Sequence, residues 1–194
     1  HNGSRGLGDV YKRQTFYCYG DRAVSTLKVN SIEARTGDTI TIPGHVIQMQ
    51  SSSSTAVSST ATETYTDIPS MTATITPTST SSKILIQVSF GLLCSSGTST
   101  GCLMKLFRDS TEIGNGSGAD THNVFMQNYN GANNIFEPRF HMFVDSPSST
   151  SAIVYKMQWR VVSASSGETW YMNRRGNDNF CRTQSTFLLT EIAG

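Results

Sequence analysis

The chain lacks the features that most directly reveal chemistry. No HExxH pair and no Lys-bearing phosphate loop occurs anywhere in it, and its one G-x-S-x-G string, Gly97-Thr98-Ser99-Thr100-Gly101, lies in a loop between two expected strands and not in the strand-to-helix turn of a nucleophile elbow. Its four cysteines do not have the spacing of a zinc site. It has no apolar run long enough to span a bilayer, which excludes a helical membrane insertion. It also lacks a charge excess, with a net charge of only +1. A near-neutral chain without a basic stripe is a poor ligand for nucleic acid, where clustered Lys and Arg supply the affinity by releasing counterions. Helical periodicity is missing as well. About a quarter of the residues are Ser or Thr, and these disfavour helix interiors because Ser competes for backbone hydrogen bonds and Thr is stiff at its branched Cβ.

What is present is strand periodicity. The strongest segment is 83–94, in which Ile84, Ile86, Val88, Phe90 and Leu92 share one face and Gln87 and Ser89 the other. Met71, Ala73 and Ile75 alternate with threonines over 71–76. Further strands are expected at 46–50, 102–107, 124–129, 135–144, 151–162, 169–173 and 186–192, separated by Gly, Pro, Asn and Ser turns; on 151–162, Ile153, Tyr155, Met157 and Trp159 share one parity and Val154, Lys156, Gln158 and Arg160 the other. Residues 51–62 show no apolar period and read as a low-complexity loop. Nine or ten short antiparallel strands predict an all-β sandwich or barrel.

Two segments precede this domain. Residues 4–14, SRGLGDVYKRQ, resemble the translation of a transposase adapter used in sequencing libraries. Residues 1–23 are therefore expected to be read-through of a metagenomic assembly, with Val24 at the start of the protein proper. Residues 1–14 carry Arg5, Lys12 and Arg13 against Asp9, so the remainder has a net charge of −1. No signal peptide is visible at the trimmed start. Residues 24–43 form an extended lead, with Leu27, Val29, Ile32, Ile40 and Ile42 among polar residues, a Gly37-Asp38 turn and a Pro43-Gly44 break.

The strand at 83–93, the segment CLMKLFRDSTEIG at 102–114 and the closing STFLLTEI at 185–192 together resemble the tumour-necrosis-factor-like jelly roll, the class that includes complement globular heads. The lead and a closing strand ending in Glu-Ile are similar to those of phage tail-fibre proteins. The resemblance implies a jelly roll over 44–194, a homotrimer, attachment to other virion or tail proteins, and host-surface adhesion to a glycan or protein. It places the chain in the virion, outside the cell, without cofactor and without enzymatic activity. The alternative is a secreted carbohydrate-binding or adhesin-type module.

Candidate site residues are few. Cys94 and Cys102 flank a seven-residue loop between strands expected to pair as a hairpin, and share parity with Leu92 and Met104. A disulfide there would contribute about 2.5 kcal/mol; two free thiols acting as small hydrophobes are the alternative. Cys181 and Cys18 have no evident partner. The histidines after trimming are His45, His122 and His141, and Asp120-Thr121-His122 reads as a polar loop. Asn115-Gly116-Ser117, inside the glycine-rich 114–118 turn, matches a glycosylation acceptor. The segment holding Trp170, Tyr171, Asn173, Arg174, Arg175 and Asn177 combines aromatics, arginines and amides. It is read either as a receptor-binding surface or as a core strand with Trp170 and Met172 inward and a solvated turn after it. Tyr129, in the loop 128–134, is the second recognition candidate. On the strand at 135–144, Phe136, Phe140, Met142 and Val144 share one parity. Phe143 is then an apolar residue on an otherwise polar face, read as an isolated exposed aromatic or a subunit contact.

Overall fold

A computed structural model describes residues 42–97, 100–118, 122–130, 136–164, 167–176, 178 and 180–194. The adapter-like segment, the lead up to residue 41, Cys18, Asp120, Asn177 and 131–134 of the second loop lie outside these residues. The described residues contain strands and no helix. In chain order the strands are β1 Val46–Ser54, β2 Ser58–Thr60, β3 Thr66–Ile75, β4 Lys83–Ser95, β5 Thr100–Arg108, β6 Thr111–Ile113, β7 Met126–Asn130, β8 Phe136–Asp145, β9 Ile153–Val161, β10 Trp170–Met172 and β11 Ser185–Ile192.

They form two antiparallel sheets packed face to face. In the first, β4 is the long central strand. One of its edges pairs with β11 below and β10 above, and the other pairs with β8; β1 lies outside β11 and β2 outside β10. In the second the order is β3-β9-β5, and the far edge of β5 is shared by β7 and β6. The order β1-β11-β4-β8 facing β3-β9-β5-β7 makes a jelly-roll sandwich. Ile84, Ile86, Val88, Phe90, Phe187 and Leu189 of the first sheet meet Met71, Met104, Leu106, Tyr155, Met157 and Trp159 of the second in one fully buried core.

Eleven strands replace the nine or ten expected, and the differences have local causes. Residues 51–62 are not a loop: β1 runs on to Ser54, and β2 follows. Both are edge strands held by backbone pairing to β11 and β10, so they need no apolar period. β3 starts at Thr66 rather than 71 because it carries a bulge between Asp67 and Thr72. Pro69 lies within that bulge, where it has no ladder hydrogen bond to forfeit, and Ser70 adopts a φ of 64°.

A second bulge matters more. Phe90 pairs with Arg139 and Leu93 with Glu137, so β4 has one residue more than β8 between these pairs. Gly91 sits in the bulge, where a Cβ would lie 2.3 Å from the carbonyl oxygen of Gln184. Past it the parity of β4 inverts. Leu93 joins the core, and Cys94 pairs with Tyr171 on the opposite face. The expectation that Cys94 shares the core face of Met104 is thereby corrected. So is the expected hairpin: Cys94 lies in the first sheet and Cys102 in the second, and both thiols are free and buried.

The parity of β8 is corrected too. Phe140, Met142 and Val144 face solvent, at 56%, 54% and 50% exposure. Phe143 is half-buried against the core, edge-on to Phe125. The polar residues of that inner face have partners across the sandwich. Arg139 donates twice to Asn128 Oδ1, at 3.1 and 2.6 Å. Asp145 takes both Arg108 Nη1, at 3.1 and 3.0 Å, and the Tyr155 hydroxyl, at 2.7 Å. This clasp ties β8 of one sheet to β5 and β9 of the other. Burial, reinforced by the hydrogen bond to Asp145, pushes the Tyr155 hydroxyl well above its ordinary pKa. Tyr155→Phe is expected to cost about 1 kcal/mol, one buried hydrogen bond to a carboxylate that keeps Arg108. Urea unfolding checks this, and an unchanged midpoint would mean the clasp adds nothing.

Candidate recognition surface

The two ends of the sandwich differ. At the lower end β1 begins and β11 finishes, joined where Gly44 N–H donates to Ala193 O at 2.8 Å and Ala193 N–H to His45 O at 2.9 Å. At the upper end lie the turn after β4, the start of β5, the end of β7 and the connection into β10. Both recognition candidates fall there. Tyr129 pairs with Gly101 at the top of β5 and is 60% exposed. The segment after β10 folds back over the top of β4, where Gly176 N–H donates to Cys94 Sγ at 3.1 Å. Glycine is required at 176, since a Cβ would lie 2.2 Å from Ser95 O. Burial chiefly, partly opposed by that N–H, raises the Cys94 thiol above its usual pKa.

The residues of this segment divide into three kinds. Trp170 and Met172 are fully buried in the core, so Trp170 is not a surface anchor. Asn173 is also fully buried, with a φ of 65°, a left-handed conformation that Asn tolerates better than most residues. Its amide donates to Ser54 O at 2.8 Å and Ala56 O at 2.9 Å, and its Oδ1 accepts from the Ser185 hydroxyl at 2.7 Å. It fastens β10, β1 and β11 together and has no free group for a receptor. Tyr171, half-buried, faces outward under Arg174, whose guanidinium carbon lies 4.1 Å from the ring centroid. Arg174 spends donors on the carbonyls of Arg175, at 3.1 Å, and Gly176, at 2.7 Å.

Arg175 forms a two-pronged ion pair with Asp178, its Nε to Oδ1 at 2.8 Å and its Nη2 to Oδ2. Arg175, foremost as a hydrogen-bond donor, holds the Asp178 carboxyl below its usual range. The same guanidinium lies 4.8 Å from the centroid of Phe180, which is 80% exposed. Sequence reasoning missed Phe180, which sits in a polar stretch with no periodicity to mark it. Its only signal was a large aromatic between Asn179 and Cys181 in a charged turn.

A second surface lies on the outer face of the first sheet. Three rows cross it from β1 to β8: Met49, Thr190, Leu85, Val144; Ser51, Leu188, Gln87, Met142; Ser53, Thr186, Ser89, Phe140. None of the twelve is charged. The outer face of the other sheet carries ion pairs instead, Lys156 to Asp67 at 3.0 Å and Lys105 to Glu112 at 2.7 Å.

Among the described residues no three of His, Cys, Asp and Glu gather as a metal site, and His122 is exposed. No known family model matches the sequence, and no curated protein matches it.

Proposed function

We propose that this chain is a bacteriophage virion protein, a tail-fibre or fibre-tip subunit that assembles as a homotrimer and presents its upper loops to the host surface. The observation that carries the reading is the run of three uncharged rows on the outer face of the first sheet, beyond the exposed Lys83 that opens β4. A face with Met49, Phe140, Met142 and Val144 each at least half exposed and no charge across three rows has the charge depletion of a subunit interface and exposes two methionines and a phenylalanine on it. Closed rotational symmetry is the usual way for identical chains to cover such a face. The tumour-necrosis-factor-like resemblance supports threefold symmetry, and the separation of ends suits the role. The start of β1, the end of β11 and the assembly face lie low and along the side, and Tyr129, Arg174 and Arg175 lie at the top. The work is structural and adhesive; lead and virion neighbours hold the domain outside the cell.

Light scattering of the purified domain is expected to give the mass of three chains, and Met142→Lys is expected to give one. A monomeric parent protein would refute the assembly. The secreted binding-module reading is kept by the exposed Phe180, which fits any adhesive domain, and predicts that monomer.

A further inference from the structure

Phe180 is the most exposed large apolar side chain described, at 80%, and both its backbone and its ring have a partner. Asp178 Oδ1 accepts both Arg175 Nε at 2.8 Å and the backbone N–H of Phe180 at 3.1 Å. Arg175, fixed by that carboxylate, lies 4.8 Å from the Phe180 centroid. Each member therefore orients the next: carboxylate, guanidinium, ring. A pre-positioned group binds without the cost of ordering it first.

We propose that Phe180, oriented by Arg175 and Asp178, is a preformed platform for an acidic saccharide. The argument rests on size and charge. One exposed ring is far smaller than the roughly 800 Å² per partner of a specific protein interface, but it matches the flat C–H face of a single pyranose. The charge around it is positive. Arg174 and Arg175 both act on the carboxylate of Asp178, a net +1 beside the ring. Asp178 balances Arg175, and the acceptors of Arg174 described above are uncharged carbonyls. A sugar carrying carboxylates meets both features, whereas a neutral one uses only the ring. This rests on the adhesive reading above and names its ligand class.

The test uses the whole chain with polygalacturonate as the acidic probe and dextran as the neutral one, by biolayer interferometry at physiological salt. Polygalacturonate is expected to bind in preference to dextran, and Phe180→Ala to weaken it about tenfold. Phe180→Trp is expected to restore binding, with all three proteins melting alike because the side chain is exposed. Equal binding of both polymers, no binding of polygalacturonate, or an unaffected Phe180→Ala variant each overturns the proposal. So does a Phe180→Ala protein that loses its oligomeric mass, which would make the ring a subunit contact. A monomer that binds through Phe180 would remove the fibre reading and keep this one; a trimer indifferent to polygalacturonate would do the reverse.

Discussion

Glu191→Ala is expected to destabilise the domain by about 3 kcal/mol and to flatten its response to acid. Glu191 has no exposed surface, and its carboxylate is the meeting point of three segments. Oε1 accepts from Thr78 N–H at 2.7 Å, the Thr78 hydroxyl at 2.8 Å and the Ser82 hydroxyl at 2.7 Å. Oε2 accepts from Gln48 Nε2 at 2.6 Å. Removing it strands the buried Ser82 hydroxyl and loosens three other donors, each loss worth about 1 kcal/mol or more. The pH dependence follows from the direction of its shift. Burial works to raise the pKa, but the donors from Gln48, Ser82 and Thr78 together outweigh it and hold the group below its ordinary 4.5. A carboxyl depressed in the folded state stabilises fully above its unfolded pKa and loses that contribution as pH falls through the folded value. The parent protein should therefore lose stability below pH 4.5 more steeply than Glu191→Ala. Parallel acid limbs in urea titrations of the two proteins would show that Glu191 does not set the slope.

Trp170→Ala is expected to cost about 4 kcal/mol, the usual loss on emptying a buried tryptophan site. Trp170 is fully buried between Thr60 of β2 and Ser95 of β4 in the ladder. Its indole N–H has no hydrogen-bond partner among the described residues, so its contribution is read as packing. Trp170→Phe should consequently cost less than about 1.5 kcal/mol, since it keeps an aromatic and removes an unpartnered donor. Binding should follow stability in both variants. A Trp170→Phe protein that melts like the parent but no longer binds polygalacturonate would return Trp170 to the list of recognition residues.

The alternation on 83–90 and 151–162 was enough to find the two strands at the heart of the sandwich, because both bury one face completely and a period of two is what such burial leaves in a sequence. Ile84 to Phe90 and Ile153 to Val161 lie as that alternation says. Where a strand is held by its backbone alone, as Ser51 to Ser54 are by β11, the side chains keep no record of it. The reversal of β8 has a different origin. Its aliphatic parity was assigned inward on hydrophobicity, but the inner side of this edge strand is where Arg139 and Asp145 find Asn128, Arg108 and Tyr155, contacts distant in sequence. The candidate segment lies at one end of the fold, but two of its members, Trp170 and Asn173, are fully buried. Trp170 and Asn173 stood out for residue type, and type does not distinguish a buried anchor from an exposed one. Phe180 became visible only through its exposure and its stacking on Arg175.

The bulge at Gly91 gives β4 two separate duties. Below it, odd-numbered residues such as Leu85, Gln87 and Ser89 look out on the uncharged face; above it, the odd-numbered Leu93 looks into the core and the even-numbered Cys94 looks out beneath Tyr171. A change in the upper loops that shifts the last residues of β4 is expected to be taken up at the extra residue, where the ladder with β8 is already interrupted, before it reaches the rows shared with β11 and β8. On the assembly proposed above, sequence change at the upper loops is thereby separable from the packing of the subunits.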